Sequence, residues 1–294
     1  MEFQAFLAEG ADLPQLGGSP RVAFIAAPLA DTVSWMKGTD RGPAAILEAS
    51  AALECLDDEL LIETCRVGFQ TMRPLDLSDK PTEESCAVID HAVSEQLAAG
   101  RLPVLIGGEH TVTVPAVTAC LRRYPDLHVV QIDAHLDLRD SYEGTPMSHA
   151  CVMRRLHDLG VGFTQVGGRS FSAEEWAFVK EKGLSPFLMS RIRREPDWID
   201  RICRGITGPV YITLDVDGLD AAVMPATGTP EPDGLSWTMA TDLLRALAGS
   251  TKIVGFDCVE FAPIPGGHHA AFTAAKLIYR TLGYIMAPLF EKEG

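Results

Sequence analysis

The chain has 294 residues, 47% of them hydrophobic and 22% charged, a balance that excludes extended disorder and a fibrous repeat. A formal net charge of -15 argues against an extended phosphate-binding face, so no nucleic-acid partner is expected. A small cationic substrate suits that charge, and so does acidity that serves only solubility.

From Val22 onward, short β-rich runs alternate with longer amphipathic stretches. Strands are expected near 22–27, 103–106, 128–132, 162–166, 186–189, 210–214 and 252–256, with a weaker eighth near 66–69. Helical patterns lie between them, for example Pro43 to Cys55, Glu83 to Ala99, Val112 to Tyr124, Ala173 to Lys182 and Met239 to Ala248. Val104-Leu105-Ile106 and Val210-Tyr211-Ile212-Thr213-Leu214 are apolar without strict alternation, as strands buried on both faces are. The reading is an α/β fold with a parallel sheet covered on both sides. No linker, composition shift or repeat divides residues 1–294, so one domain is expected.

Seven scattered cysteines, without a C-x-x-C pair, suggest neither a disulfide framework nor a thiolate zinc site. Met1 to Gly10 has no basic start or continuous apolar run, and no later stretch is long enough to span a bilayer. A cytoplasmic location and no membrane partner are therefore expected.

In open parallel sheets, ligands bind beyond the carboxyl ends of the strands, where loops bring side chains together. Gly107-Gly108-Glu109-His110 follows the strand ending at Ile106, and Asp133-Ala134-His135-Leu136-Asp137 follows the one ending at Ile132. Asp215-Val216-Asp217 follows Leu214, and Asp257-Cys258-Val259-Glu260 follows Phe256. Four strands thus hand carboxylates and imidazoles to one sheet edge. Alternate spacing in Asp133, His135 and Asp137, and in Asp215 and Asp217, places each set on one side of extended backbone.

Taken singly, the D-x-H-x-D segment is equally a solvated loop or cap, the D-x-D segment is better read that way, and a lone His110 suits packing. Converging on one edge, the crowded carboxylates would repel one another and raise their own pKa values unless cations neutralised them. Carboxylate oxygens and imidazole nitrogens without thiolate suit Mn²⁺, with Zn²⁺ or Fe²⁺ as alternatives. Six ligands, two of them bridging, suffice for two ions roughly 3.5 to 4 Å apart.

These blocks, with Ser34-Trp35-Met36-Lys37-Gly38-Thr39-Asp40-Arg41-Gly42-Pro43, Asp217-Gly218-Leu219-Asp220, Gly228-Thr229-Pro230 and Glu260, resemble the arginase and agmatinase family of manganese ureohydrolases. The resemblance implies a three-layer α/β/α fold with an eight-stranded, mainly parallel sheet. It implies two Mn²⁺ ions: His110, Asp133, Asp137 and Asp215 around one, and His135, Asp217 and the bridging Asp133 and Asp215 around the other. It also implies release of urea from a guanidino substrate held by Glu260, with His149 as the active-site histidine, and assembly into trimers or hexamers.

The chemistry expected is attack on the guanidino carbon by a hydroxide formed from water bridging two cations. Asp137 would orient that hydroxide, and Asp137 or His149 would protonate the departing amine. The segment Leu138 to Met147 is similar to agmatinases, making agmatine the leading substrate. Guanidinobutyrate, guanidinopropionate, arginine and guanidine share the same chemistry. Asp140 or Glu143 would attract a free amine unless both are solvated loop charges. Trp35 is a substrate-entrance residue or part of a structural segment in which Pro43 opens a helix that Asp40 caps. Three departures stand out: Glu109 replaces the usual Asp, Ala221 replaces a proline, and His268 and His269 have no assigned role. A non-catalytic metal-binding relative and a one-zinc amidohydrolase are the competing classes; retention of every ligand position opposes the first, and the D-x-D block the second.

Overall fold

The computed structural model describes residues 4–291; Met1 to Phe3 and Lys292 to Gly294, the ends of the stretch read as one domain, lie outside the described residues. Seven strands form a parallel sheet: β1 (Val22–Ala27), β2 (Phe69–Thr71), β3 (Leu102–Gly107), β4 (His128–Ile132), β5 (Gly162–Val166), β6 (Val210–Asp215) and β7 (Ile253–Val259). Their spatial order is β2-β1-β3-β7-β6-β4-β5.

The helices are α1 (Gly42–Ser50), α2 (Thr82–Ala98), α3 (Thr113–Arg123), α4 (Val152–Asp158), α5 (Ala173–Lys182), α6 (Met189–Ile192), α7 (Trp198–Gly205), α8 (Trp237–Ser250) and α9 (His268–Phe290). Strand side chains alternate between two apolar layers. Val104 and Ile106, Val130 and Ile132, and Ile212 and Leu214 pack in one layer with residues of α1, α6, α7, α8 and α9. Leu105, Val129 and Tyr211 face the other, under α2, α3, α4 and α5. The central strands are therefore buried on both faces, which explains their continuous apolar runs.

The sheet has seven strands where the sequence reading has eight. The run expected near 186–189 reaches the edge of β5 but makes a single parallel bridge, Phe187 to Val166. Pro186 offers no N–H to the ladder, and the chain turns into α6 at Met189, so pairing ends after one residue. The weak strand expected near 66–69 forms later, because Thr64–Val67 is a 3-10 turn and Gly68, at φ 83°, reverses the chain into β2.

Pro43 lies in the first turn of α1 as expected, whereas Asp40 sits in the preceding 3-10 turn, and the residue flanking the helix is Arg41. Asp220 accepts the N–H groups of Ala222 and Gly234, which ties down the loop where Ala221 stands without a proline ring. Among the described residues, no helix is long and apolar enough to cross a membrane, and no disulfide joins the cysteines.

Candidate metal centre

The four strands predicted to deliver polar residues are neighbours at the middle of the sheet, in the order β3, β7, β6, β4. Ile106, Cys258, Leu214 and Ile132 stand side by side in register, so the residues that follow them reach one rim. Gly108 is needed on that rim, since a Cβ there would lie 2.0 Å from the Leu29 carbonyl oxygen. Gly218 is constrained likewise: a Cβ would fall 2.8 Å from the backbone nitrogen of Asp133.

The rim carries two groups with the spacing of metal ligands, joined by a shared carboxylate: His110, Asp133 and Asp137, and Asp133, His135 and Asp217. His110 Nδ1 lies 3.2 Å from Asp133 Oδ2, 2.9 Å from Asp137 Oδ2 and 3.6 Å from Asp215 Oδ2. His135 Nδ1 lies 3.1 Å from Asp217 Oδ2 and 3.5 Å from Asp133 Oδ1. All six predicted ligand side chains therefore meet.

They meet by a different local geometry from the one expected. Asp137 has φ 51°, and Asp217 sits in a 3-10 turn opened by Asp215, whose Oδ1 accepts the Asp217 N–H at 3.0 Å. Extended alternation therefore does not align either set; the turns do. Glu260, just beyond β7, has φ 64°. For non-glycine residues such conformations are costly and are kept where the surroundings fix them, often at functional sites.

Asp133, Asp137, Asp215, Asp217 and Glu260 are all buried, and the ion partners that the four Asp have are imidazoles, with no Lys or Arg within 4.0 Å among the described residues. Burial and the neighbouring Asp133 charge push the Asp137 carboxyl up to about 7. Burial, then Asp217 and Asp133, raises Asp215 well above the usual range. Burial and the Glu109 charge lift Glu260 to about 8. Asp133 goes the other way: burial opposes its ionisation, but His110 and His135 hold it below the usual range. For both histidines burial disfavours the cation, yet the facing carboxylates win, raising His110 well above normal and His135 to about 12. The cluster is short of positive charge, which protons on imidazole supply when nothing else does. His110 Nδ1 is also buried without a hydrogen-bond partner while facing three carboxylates. Divalent cations fit both observations, and oxygen and imidazole donors suit a hard or borderline ion.

A second layer of polar residues orients the ligands. His110 Nε2 lies 2.8 Å from Thr213 Oγ1, which lies 3.2 Å from Thr113 Oγ1. Thr113 donates to Asp257 Oδ2 at 2.8 Å, and Tyr211 donates to the same oxygen at 2.9 Å. With Asp257 accepting at the end of the chain, Thr213 is left to accept from His110 Nε2, which frees Nδ1 as a ligand. Asp257 is thus a support behind His110 and not part of the cluster. Gln131 Nε2 donates to Asp133 Oδ2 at 2.7 Å, and Gln165 Nε2 to Gln131 Oε1 at 2.7 Å. Arg169 NH2 donates to the backbone carbonyls of Asp217, Leu219 and Glu231, fixing the turn that carries Asp217.

The sequence reading assigns none of these residues a role, although Gln131 and Thr213 carry a signal: each is a polar residue inside an apolar strand, two positions before a ligand. T213V keeps the shape but removes the acceptor for His110 Nε2–H. It is expected to weaken metal affinity ~10- to 100-fold without unfolding the chain, as titration with Mn²⁺ would measure. Unchanged affinity would remove the role assigned to Thr213.

His110, His135, Asp137 and Asp215 of the cluster line the floor of a cleft of about 330 Å³. Glu260, Thr229 and His149 line it, and Trp35, 68% exposed, stands at its mouth with Tyr142. Glu260 Oε1 accepts the His110 N–H at 2.7 Å. Burial, reinforced by His110 and His135, lowers His149 to about 4, so its imidazole is neutral at pH 7. Asp140 pairs with Arg155 at 2.9 Å and Arg154 at 3.4 Å, and neither it nor Glu143 lines the cleft. The charged pair that does line it is Arg139 and Glu175, 3.9 Å apart. His268 and His269 are exposed at the start of α9, away from the cleft lining.

The sequence profile of the arginase family matches residues 20–283. The N(1)-aminopropylagmatine ureohydrolase of Synechocystis sp. is 37% identical over 270 residues, covering 90% of this chain and 88% of the relative. An agmatinase of Bacillus anthracis is 37% identical over 83% of this chain and 84% of its own. The crystal structure of the agmatine ureohydrolase of Thermoplasma volcanium superposes with a TM-score of 0.87 at 30% identity, covering 100% of this chain and 97% of that one. With its sheet, its rim of Asp and His side chains, and this likeness across nearly its whole length, the chain belongs to the arginase family of hydrolases.

Proposed function

We propose that the chain is a binuclear manganese ureohydrolase that releases urea from the guanidino group of a linear amine, with agmatine, yielding putrescine, as the leading substrate. The observation that supports it most is Asp133, shared between two groups of ligand-spaced side chains whose His110, His135 and Asp137 line the cleft. His110, Asp133, Asp137 and Asp215 would hold one ion, and His135, Asp217, Asp133 and Asp215 the other. Bound there, divalent ions supply a water acidic enough to lose its proton near neutral pH.

The remaining work falls to the chain. Glu260 presents a carboxylate whose planar fork matches the donors of a guanidinium, and one oxygen is already aimed by the His110 N–H. Asp137, on the cleft floor beside His110, would accept a hydrogen bond from the attacking oxygen and pass that proton on. His149, neutral and on the cleft wall, offers a ring nitrogen to the substrate or to the departing amine. Departure of the amine then leaves urea.

N(1)-aminopropylagmatine is a second reading, favoured by relatives named for it at 37% and 38% identity. Trp35 and Tyr142 on the cleft wall have the chemistry for a longer amine, through their aromatic faces. We further propose one domain and a cytoplasmic location, as the undivided composition and scattered cysteines suggest, and a trimeric or hexameric assembly, in keeping with the family resemblance.

Urea release measured with Mn²⁺ across agmatine, N(1)-aminopropylagmatine, guanidinobutyrate, guanidinopropionate, arginine and guanidine tests the reading. Turnover is expected with one of the two cationic amines at kcat/KM at least ~10-fold above the others. No urea from any of them with the metal-loaded protein would remove the proposal.

A further inference from the structure

Glu109 stands immediately before a proposed ligand, yet its carboxylate turns away from the cluster to Thr32 and Thr111. It is fully buried and collects three donors: the Thr32 N–H at 2.6 Å on Oε2, and the Thr111 and Thr32 hydroxyls at 2.6 and 2.9 Å on Oε1. Burial raises the Glu109 carboxyl above its usual range, against the Thr111 and Thr32 donors that lower it; ionised, it accepts from all three, and that is the state in which every one of these contacts is a donor on a carboxylate oxygen.

The consequence lies one residue further along. Thr32 has a single hydroxyl proton, and Glu109 takes it. The Thr32 oxygen then has only lone pairs for its other two neighbours, both nitrogens of His149: the backbone N–H at 3.1 Å and Nδ1 at 3.1 Å. An oxygen that can only accept requires a proton on Nδ1. Ser148 Oγ, 3.4 Å from Nδ1, is the more distant neighbour. Tyr142 meets the ring edge-on, with centroids 5.6 Å apart, limiting rotation of the imidazole.

We infer that Thr32, clamped by Glu109, is a positioning residue that fixes the neutral Nδ1–H tautomer of His149 and leaves the Nε2 lone pair for the cleft. An Nε2 of this kind accepts a hydrogen from a substrate nitrogen and does not donate one. A neutral imidazole frozen in this way receives a proton before giving it up, which selects its order of action. The catalytic significance rests on the ureohydrolase reading of His149; the tautomer does not.

Two variants and one spectrum test it. T32V removes the acceptor while keeping the shape, and T32S restores the hydroxyl. In the Mn²⁺ enzyme with its best guanidino substrate, T32V is expected to lose ~10- to 100-fold in kcat with KM changed less than about threefold, at unchanged metal content, and T32S to recover most of it. Independently, ¹⁵N spectra of the histidine-labelled full chain loaded with diamagnetic Mg²⁺, with His149 assigned by H149N, are expected to show protonated Nδ1 and bare Nε2. A T32V enzyme with the parent kcat, or a His149 carrying its proton on Nε2, overturns the inference. If no guanidino compound yields urea, the functional reading fails, while the spectrum still decides the tautomer.

Discussion

Replacing Asp133 with alanine is expected to remove at least ~10³-fold of turnover and to cut the bound metal to one equivalent or less, read by urea release and elemental analysis of the dialysed protein. The reason is its position. Asp133 Oδ2 faces His110 and Asp133 Oδ1 faces His135, so one carboxylate serves both groups. Gln131 and the His135 N–H hold it at 2.7 and 2.6 Å, which leaves little freedom for a neighbour to replace it.

The same substitution also acts on the metal-free protein. Asp215, Asp137 and Asp133 are buried together, and removing one negative charge relieves repulsion among the rest. That relief is outweighed by the loss of the ion pairs with His110 and His135, which hold Asp133 below the usual carboxylate range, and of the acceptor for Gln131 and the His135 N–H, so D133A is expected to melt below the parent without metal. With metal, the parent gains stability by mass action, about 2.7 kcal/mol at a concentration a hundredfold above Kd, and the variant gains little of it. Full activity in D133A, or an equal shift in Tm on adding Mn²⁺, would contradict the shared-ligand assignment.

Glu260 predicts the complementary pattern. E260Q retains an oxygen for the His110 N–H but loses the charge that a guanidinium requires. A charge-assisted pair of hydrogen bonds is worth ~3 to 5 kcal/mol when buried, so kcat/KM should fall by ~10² to 10⁴ while both ions remain bound. Inhibition by a free guanidinium ion should weaken in parallel. Loss of metal together with activity would instead make Glu260 a structural support for His110, since it is the acceptor of that residue's N–H.

Much of this site is legible in the chain because β-strands in a parallel sheet carry direction. Once Ile106, Ile132, Leu214 and the run ending in β7 are read as buried parallel strands, the residues after each must emerge on one edge. That is why His110, Asp133, His135, Asp137, Asp215 and Asp217 can be named without coordinates, whereas only the family resemblance separates Glu260 from Glu109 and Asp257 on the same edge. The same local logic fails where long-range pairing decides. The segment around Phe187 has the composition of a strand, but a proline and an immediate helix leave it one bridge. Asp140 and Glu143 read as plausible amine contacts, but the loop hands Asp140 to Arg154 and Arg155.

The sequence by itself determined the alternation of strands and helices, the edge on which the acidic and imidazole residues gather, and the donor set that suits a divalent ion. Those follow from period, polarity and chain direction, which are local properties. Only the tertiary structure decided that Asp137 and Asp217 reach the cluster through a left-handed residue and a 3-10 turn, that Asp257 and Thr213 stand behind His110, and that Glu109 turns away to grip Thr32. Thr32 and His149 are 117 residues apart, and nothing local in either segment encodes their contact. Hydrogen bonds at that separation are selected by packing of the whole sheet and its rim, so they become visible only when the backbone is closed.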